Sequence, residues 1–148
     1  MHKFITNSYK QTQKLGEKLA KDIFKKGLNK TALVLTLQGN LGGGKTTFLQ
    51  GFAKGIGIKE KILSPTFVIV KRFKINMGNF KNFYHIDCYR INNAKEILEL
   101  DFKNTILSPE NIVAIEWSEK IKKRLPKSAI TVKFTFVDEN KREIVIDF

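Results

Sequence analysis

Two periods run through the apolar positions of this chain. From Ser8 to Lys26, the residues Thr12, Leu15, Leu19 and Ile23 recur at three- and four-residue intervals, which predicts an amphipathic helix stopped at Gly27. Between Thr31 and Gln38 the run Ala32-Leu33-Val34-Leu35-Thr36-Leu37 lacks alternation, the pattern of a strand buried on both faces of a parallel sheet. A glycine-rich turn follows, then a helical segment from Lys45 to Lys54, closed by Gly55 and Gly57. Ser64-Pro65-Thr66 breaks the chain, because proline restricts both itself and its predecessor. Strands are predicted over Phe67–Ile75 and Phe83–Tyr89, joined by a turn at Asn76-Met77-Gly78-Asn79.

The second half continues in the same mixed style. Asn93–Leu100 reads as a helix, Ile112–Ile115 as another buried strand after Pro109, and Ser118–Arg124 as a short helix ended by Pro126. Toward the C-terminus, Ile130, Val132, Phe134 and Phe136 alternate with Thr131, Lys133 and Thr135. Val137–Lys141 then turns the chain into Glu143–Phe148, a half-exposed antiparallel hairpin. The sum is an α/β fold of the P-loop NTPase type, three-layered, with a mixed sheet of parallel core strands plus antiparallel hairpins. At 148 residues a single domain is expected.

Composition narrows the setting. The apolar stretches are too short to span a bilayer, and Met1–Asn7 lacks the apolar core of a secretory signal. One cysteine, Cys88, allows no internal disulfide. A cytoplasmic protein without a membrane partner is expected. The net charge of +13 invites a polyanion as partner, yet the basic residues are scattered and form no tail. General abundance of lysine is therefore the favoured account of the excess, ahead of a dedicated RNA-binding stripe.

The informative stretch is Gly39-Asn40-Leu41-Gly42-Gly43-Gly44-Lys45-Thr46-Thr47, a full match to G-x-x-x-x-G-K-[ST]. Its glycines let successive backbone N–H groups point at one phosphate, and the following helix adds its positive N-terminal dipole. The motif assigns Lys45 to the β- and γ-phosphate oxygens and the Thr46 hydroxyl to Mg²⁺. No guanine-reading N-K-x-D sequence stands at a useful position, which favours ATP.

Hydrolysis also needs acidic groups that hold Mg²⁺ and orient water. Glu116 stands at the carboxyl end of Ile112–Ile115, where ligands bind in an open α/β sheet. Asp87, near the end of Phe83–Tyr89, is a second candidate, able to hold Mg²⁺ through a bridging water. Either residue is equally readable as a solvated strand-end charge. Thr66 is a candidate switch residue, and Ser-Pro-Thr suits a turn as well. Trp117 stands beside Glu116 and is a candidate neighbour of the nucleotide. His85 reads as a satisfied strand residue, Cys88 as a small buried hydrophobe. No zinc-ligand spacing is present.

Four segments together, Gly39–Thr47, Ser64-Pro65-Thr66-Phe67, His85-Ile86-Asp87-Cys88-Tyr89-Arg90 and Ile115-Glu116-Trp117, resemble the bacterial TsaE (YjeE) family of small P-loop ATPases. The resemblance covers essentially the whole chain. It implies a role in making N6-threonylcarbamoyladenosine at position 37 of tRNAs that read ANN codons. In that family the protein joins the TsaD–TsaB pair and does not itself transfer the threonylcarbamoyl group, so tRNA is met indirectly through the complex. ATP binding and hydrolysis, weak alone and stimulated by the partners, support repeated rounds of modification.

Carried onto this chain, the resemblance makes Lys45 and Thr46 ligands of phosphate and Mg²⁺. Thr66 falls in the switch, Asp87 is an essential acid, and Glu116-Trp117 lies at the nucleotide. Asn40, Gly43 and Ser118 depart from the Asp, Ala and Pro usual there, and none removes a phosphate ligand. Two other readings of a compact P-loop protein stand beside this one. They are a small-molecule kinase, whose lid would be Lys120–Arg124, and a nucleotide-regulated RNA-binding module.

Overall fold

The computed structural model describes residues 1–27, 29–63 and 69–148. Within them the chain runs β1 (His2–Thr6), α1 (Tyr9–Lys25), β2 (Leu33–Gln38), α2 (Lys45–Gly55), β3 (Val70–Met77) and β4 (Phe80–Asp87). It continues through α3 (Lys95–Leu98), α4 (Phe102–Leu107), β5 (Asn111–Glu116), a 3-10 segment (Ser118–Arg124), β6 (Ile130–Phe136) and β7 (Arg142–Asp147). The strands form one seven-stranded sheet in the order β1-β7-β6-β2-β5-β4-β3. β2 pairs in parallel with β5 and β6, and β4 with β5. The β3–β4, β6–β7 and β1–β7 pairs are antiparallel. This is the mixed α/β sheet that the sequence predicts.

Alternation along the central strands builds two cores. Leu33, Leu35 and Leu37 of β2, with Ile112 and Ala114 of β5 and Val132 and Phe134 of β6, meet Leu19, Phe48, Phe52 and other residues of α1 and α2. The intervening Val34, Val113 and Ile115 meet Ile97, Phe102 and Ile121 on the opposite face. Each fully buried Leu, Ile or Phe contributes roughly 1.5–3 kcal/mol relative to exposure. With both faces covered, β2 and β5 are largely apolar, and all six β5 residues are buried, including the polar Asn111 and Glu116 at its two ends.

Ser8 caps α1 by accepting from the Gln11 amide, 3.2 Å away, and Gly27 stops it at φ +83°. α1 and α2 touch backbone to backbone through glycine. A Cβ on Gly51 would lie 1.8 Å from the Gln13 carbonyl oxygen, and one on Gly16 would lie 2.2 Å from that of Phe48. That contact fixes the height of α2, and with it the loop that feeds α2.

Several expectations need correction. The first predicted hairpin strand continues through Met77, leaving Gly78 at φ +60° and Asn79 for a tight turn. The start of that strand at Phe67, and the Ser64-Pro65-Thr66 breaker, lie outside the described residues. The Asn93–Leu100 helix is only the four residues of α3, followed after a left-handed Asp101 by α4, which the apolar pattern does not announce. β1 is a further strand that hydropathy hides, since four of its five residues are exposed or half-exposed at the sheet edge. The short helix expected at Ser118–Arg124 is present, with 3-10 geometry. Phe136 is 55% exposed and leaves the core face of its strand. Arg142 stacks over its ring, with the guanidinium 4.7 Å from the ring centroid.

Candidate functional site

The carboxyl ends of β2, β4, β5 and β6 all lie at one edge of the sheet, because these four strands run parallel. β2 delivers Gly39 to this edge with φ +143°, where a Cβ would press within 2.6 Å of the Phe134 carbonyl oxygen. Only glycine fits that approach. Gly42 and Gly44 are also left-handed, at φ +75° and +98°, so the loop curls back over the start of α2. Gly44 occupies the cap position of α2, where no side chain caps the helix and no acidic residue stands in its first turn. A helix start left so has its N–H groups and positive dipole available to an anion. Leu41, Gly42–Thr47, Glu116, Trp117 and Arg142 line a cavity of about 260 Å³ here.

Lys45 folds across the loop. Its Nζ donates to the Gly39 carbonyl at 2.5 Å and the Asn40 carbonyl at 3.0 Å, and it stands 4.5 Å from the Trp117 ring centroid. Burial holds its ammonium below the ordinary lysine value, opposed by the charges of Glu116, Glu119 and Asp87. The Thr46 hydroxyl donates to Glu116 Oε1 at 3.3 Å, and the other carboxylate oxygen, Oε2, lies 2.7 Å from His85 Nε2. Trp117 takes a left-handed conformation, φ +57°, which costs a bulky residue about 1–2 kcal/mol. That turn aims its indole at Lys45, and Tyr89 backs it at 5.1 Å between ring centroids.

The residues predicted for the site are therefore largely brought together: Leu41–Thr47, Glu116 and Trp117 share one cavity. Asn40 contributes its carbonyl through Lys45 and does not line the cavity. Asp87 pairs in register with Glu116 across β4 and β5, is 8% exposed, and accepts the Tyr89 amide at 2.9 Å. It sits behind the cavity wall rather than in it. Thr66 lies outside the described residues.

Arg142 is a residue that sequence reasoning missed. β7 runs antiparallel to β6, so its first residue returns to the carboxyl end of β2 and reaches Gly44. Its Nε is buried without a partner among the described residues, while Nη1 donates to the Lys141 carbonyl at 3.0 Å and to that of Asp138. An arginine opening a strand carries no local signal of this. Only the sheet order places it.

The donor set suits a phosphate chain with a hard cation. An uncapped helix start, a lysine and an arginine line one cavity that also holds a hydroxyl and a carboxylate. Among the described residues no group of three or more His, Cys, Asp and Glu side chains is placed to hold a metal ion. No described helix is long and apolar enough to cross a membrane.

A buried parallel strand, a glycine loop and a lysine-threonine helix start, with an acid on the adjoining strand, define a P-loop nucleotide-binding protein of the NTPase fold. Residues 6–144 match the family described as threonylcarbamoyl adenosine biosynthesis protein TsaE. The chain belongs to this family. It is 39% identical over 111 residues to the Bacillus subtilis tRNA threonylcarbamoyladenosine biosynthesis protein TsaE, spanning 75% of this chain and 66% of that one. The Rickettsia felis protein of the same description is 37% identical over 139 residues, 93% of this chain and 75% of its own. The crystal structure of Bacillus subtilis YdiB superposes with a TM-score of 0.70 at 29% identity, covering 97% of this chain and 82% of that one.

Proposed function

We propose that the chain binds and hydrolyses Mg-ATP and, with the TsaD–TsaB pair, supports formation of N6-threonylcarbamoyladenosine at position 37 of tRNA. One observation carries the nucleotide reading: Lys45, Thr46 and Glu116 converge at the uncapped start of α2. Lys45 exchanges its loop carbonyls for β- and γ-phosphate oxygens, which compensate its buried charge better than two neutral acceptors do. Arg142 adds a second cation from the far wall. The Thr46 hydroxyl and Glu116 Oε1 are the oxygens that would hold Mg²⁺, with Asp87 acting through a bridging water. Bound Mg²⁺ supplies neutralisation of charge on the phosphate oxygens. In this reading Asp87 or Glu116 would orient an attacking water. Trp117 covers Lys45 and limits water at the phosphates.

On the resemblance to its family, the reaction we assign to this site is hydrolysis under partner control. The test is ATP turnover by the chain alone and with purified TsaD–TsaB, with Lys45→Ala as blank. Slow turnover alone, strong stimulation by the pair, and loss of both in Lys45→Ala are expected. Arg142→Ala should weaken nucleotide affinity roughly ten- to hundredfold, the range for one lost charged hydrogen bond. Equal turnover with and without the pair overturns the partner-dependent reading.

A further inference from the structure

His85 and Glu116 are the most deeply buried pair of ionisable side chains at the site, at 1% and 2% exposure. They stand diagonally across β4 and β5: His85 is in register with Ala114, and Glu116 lies two residues further along on the same face. The two oxygens of Glu116 are held unequally. Oε2 lies 2.7 Å from His85 Nε2, a short contact typical of a charged acceptor, whereas Oε1 receives Thr46 at a long 3.3 Å. The other ring nitrogen, Nδ1, is buried with no partner among the described residues. A proton there would be an unmatched buried donor, so the network assigns the ring proton to Nε2, donating to Glu116.

We infer that His85 is the positioning residue for Glu116, pinning Oε2 so that Oε1 alone faces Thr46 and the cradle. A buried carboxylate without such a donor either turns toward another partner or stays costly where it is. The weak Thr46 bond is then the exchangeable one, and the His85 bond persists when Thr46 and Oε1 take up other ligands. A histidine that looks like ordinary strand filling thereby sets the orientation of the acid. The inference rests on the Mg-nucleotide reading of the site.

The test measures affinity for fluorescent mant-ADP in Mg²⁺ and in EDTA, for wild type, His85→Met and His85→Gln. The quantity read is the ratio of the two affinities within each protein, so a general loss of stability cancels. His85→Met should lower that ratio about ten- to hundredfold, the usual effect of losing a residue that orients a metal ligand. Its EDTA affinity should be unchanged. His85→Gln, which restores an N–H donor, should recover most of the ratio. If His85→Met does not fold, His85→Asn, whose amide stops short of the carboxylate, takes its place. Glu116→Gln combined with His85→Met should be no worse than Glu116→Gln alone. A wild-type ratio in His85→Met, or additive losses in the double variant, overturns the inference while leaving nucleotide binding intact. A wild type that shows no Mg²⁺ dependence removes the site reading itself.

Discussion

Burial holds the Lys45 ammonium below the ordinary lysine value of 10.5, against the pull of Glu116, Glu119 and Asp87. The sign of the consequence follows from which state holds the proton. Between the depressed folded value and 10.5 the unfolded chain binds a proton that the folded chain has released, so stability rises with pH across that window. Below it both states are charged, and the folded chain bears the full cost of a cation that no phosphate offsets. Lys45→Met keeps the stem and removes the charge. We therefore expect it to melt higher than wild type at neutral pH without nucleotide. The gap should narrow as pH approaches 10.5, and Mg-ADP should no longer raise its melting temperature. A variant less stable than wild type at pH 7 would show that the bonds to Gly39 and Asn40 outweigh the burial cost. Lys45 is legible in the sequence because its neighbours in the loop are its neighbours in space. Arg142 is not, because it reaches the loop only through the β2-β6-β7 order of the sheet.

Gly16, Gly51 and Gly55 let α1 and α2 meet backbone to backbone, and α2 begins with the residues that line the cavity. Gly51→Ala adds a Cβ that would lie 1.8 Å from the Gln13 carbonyl oxygen, with the neighbouring carbonyl carbon at 2.5 Å. Neither is a flexible side-chain end, so the helices must separate. Overpacking of this kind costs roughly 1–3 kcal/mol, against a gain of about 1 kcal/mol in helix propensity. We expect a net loss in melting temperature, with nucleotide affinity falling as the start of α2 shifts. Unchanged melting would show that the two helices slide apart freely. The same elements show what the apolar pattern can and cannot announce. α1, β2 and β5 bury whole stripes or whole strands, and their periodicity is plain. β1 borrows its stability from pairing with β7 while leaving most of its residues exposed, and α4 is too short to show a period. His85 reads as strand filling because the carboxylate it holds belongs to another strand, 31 residues away.

At the scale of the molecule, a net charge of +13 sets self-repulsion against a few surface ion pairs. Lys10, Lys14, Lys18, Lys21 and Lys25 are all exposed on α1, and their spacing places them within an arc of about 80° at 100° per residue. Only Lys21 has a close acidic partner on that helix, Glu17 at 2.7 Å. The other notable pairs, Lys3–Glu143 and Lys81–Glu110, are exposed and worth roughly 0–1 kcal/mol each. Repulsion between lysines one turn apart costs about 0.2–0.5 kcal/mol per pair, and it adds to the excess spread over the remaining surface. Salt shortens the reach of these charges from about 30 Å at 0.01 M to about 8 Å at 0.15 M. Without nucleotide, the chain should therefore gain roughly 1–2 kcal/mol over that range, or about 2–8 °C in melting temperature. Phosphate binding by Lys45 and Arg142 runs the other way, since screening weakens attraction as it weakens repulsion. The extra stabilisation by Mg-ADP, about 2.7 kcal/mol at a hundredfold excess over its dissociation constant, should shrink at fixed ligand concentration as salt rises. Across this series the free chain's melting temperature should rise if the balance is repulsive, and the curves with and without Mg-ADP should converge as screening weakens phosphate binding. A melting temperature that falls with salt in the free chain would instead show that the few ion pairs dominate. The five lysines of α1 would then be a neutral feature of a lysine-rich surface.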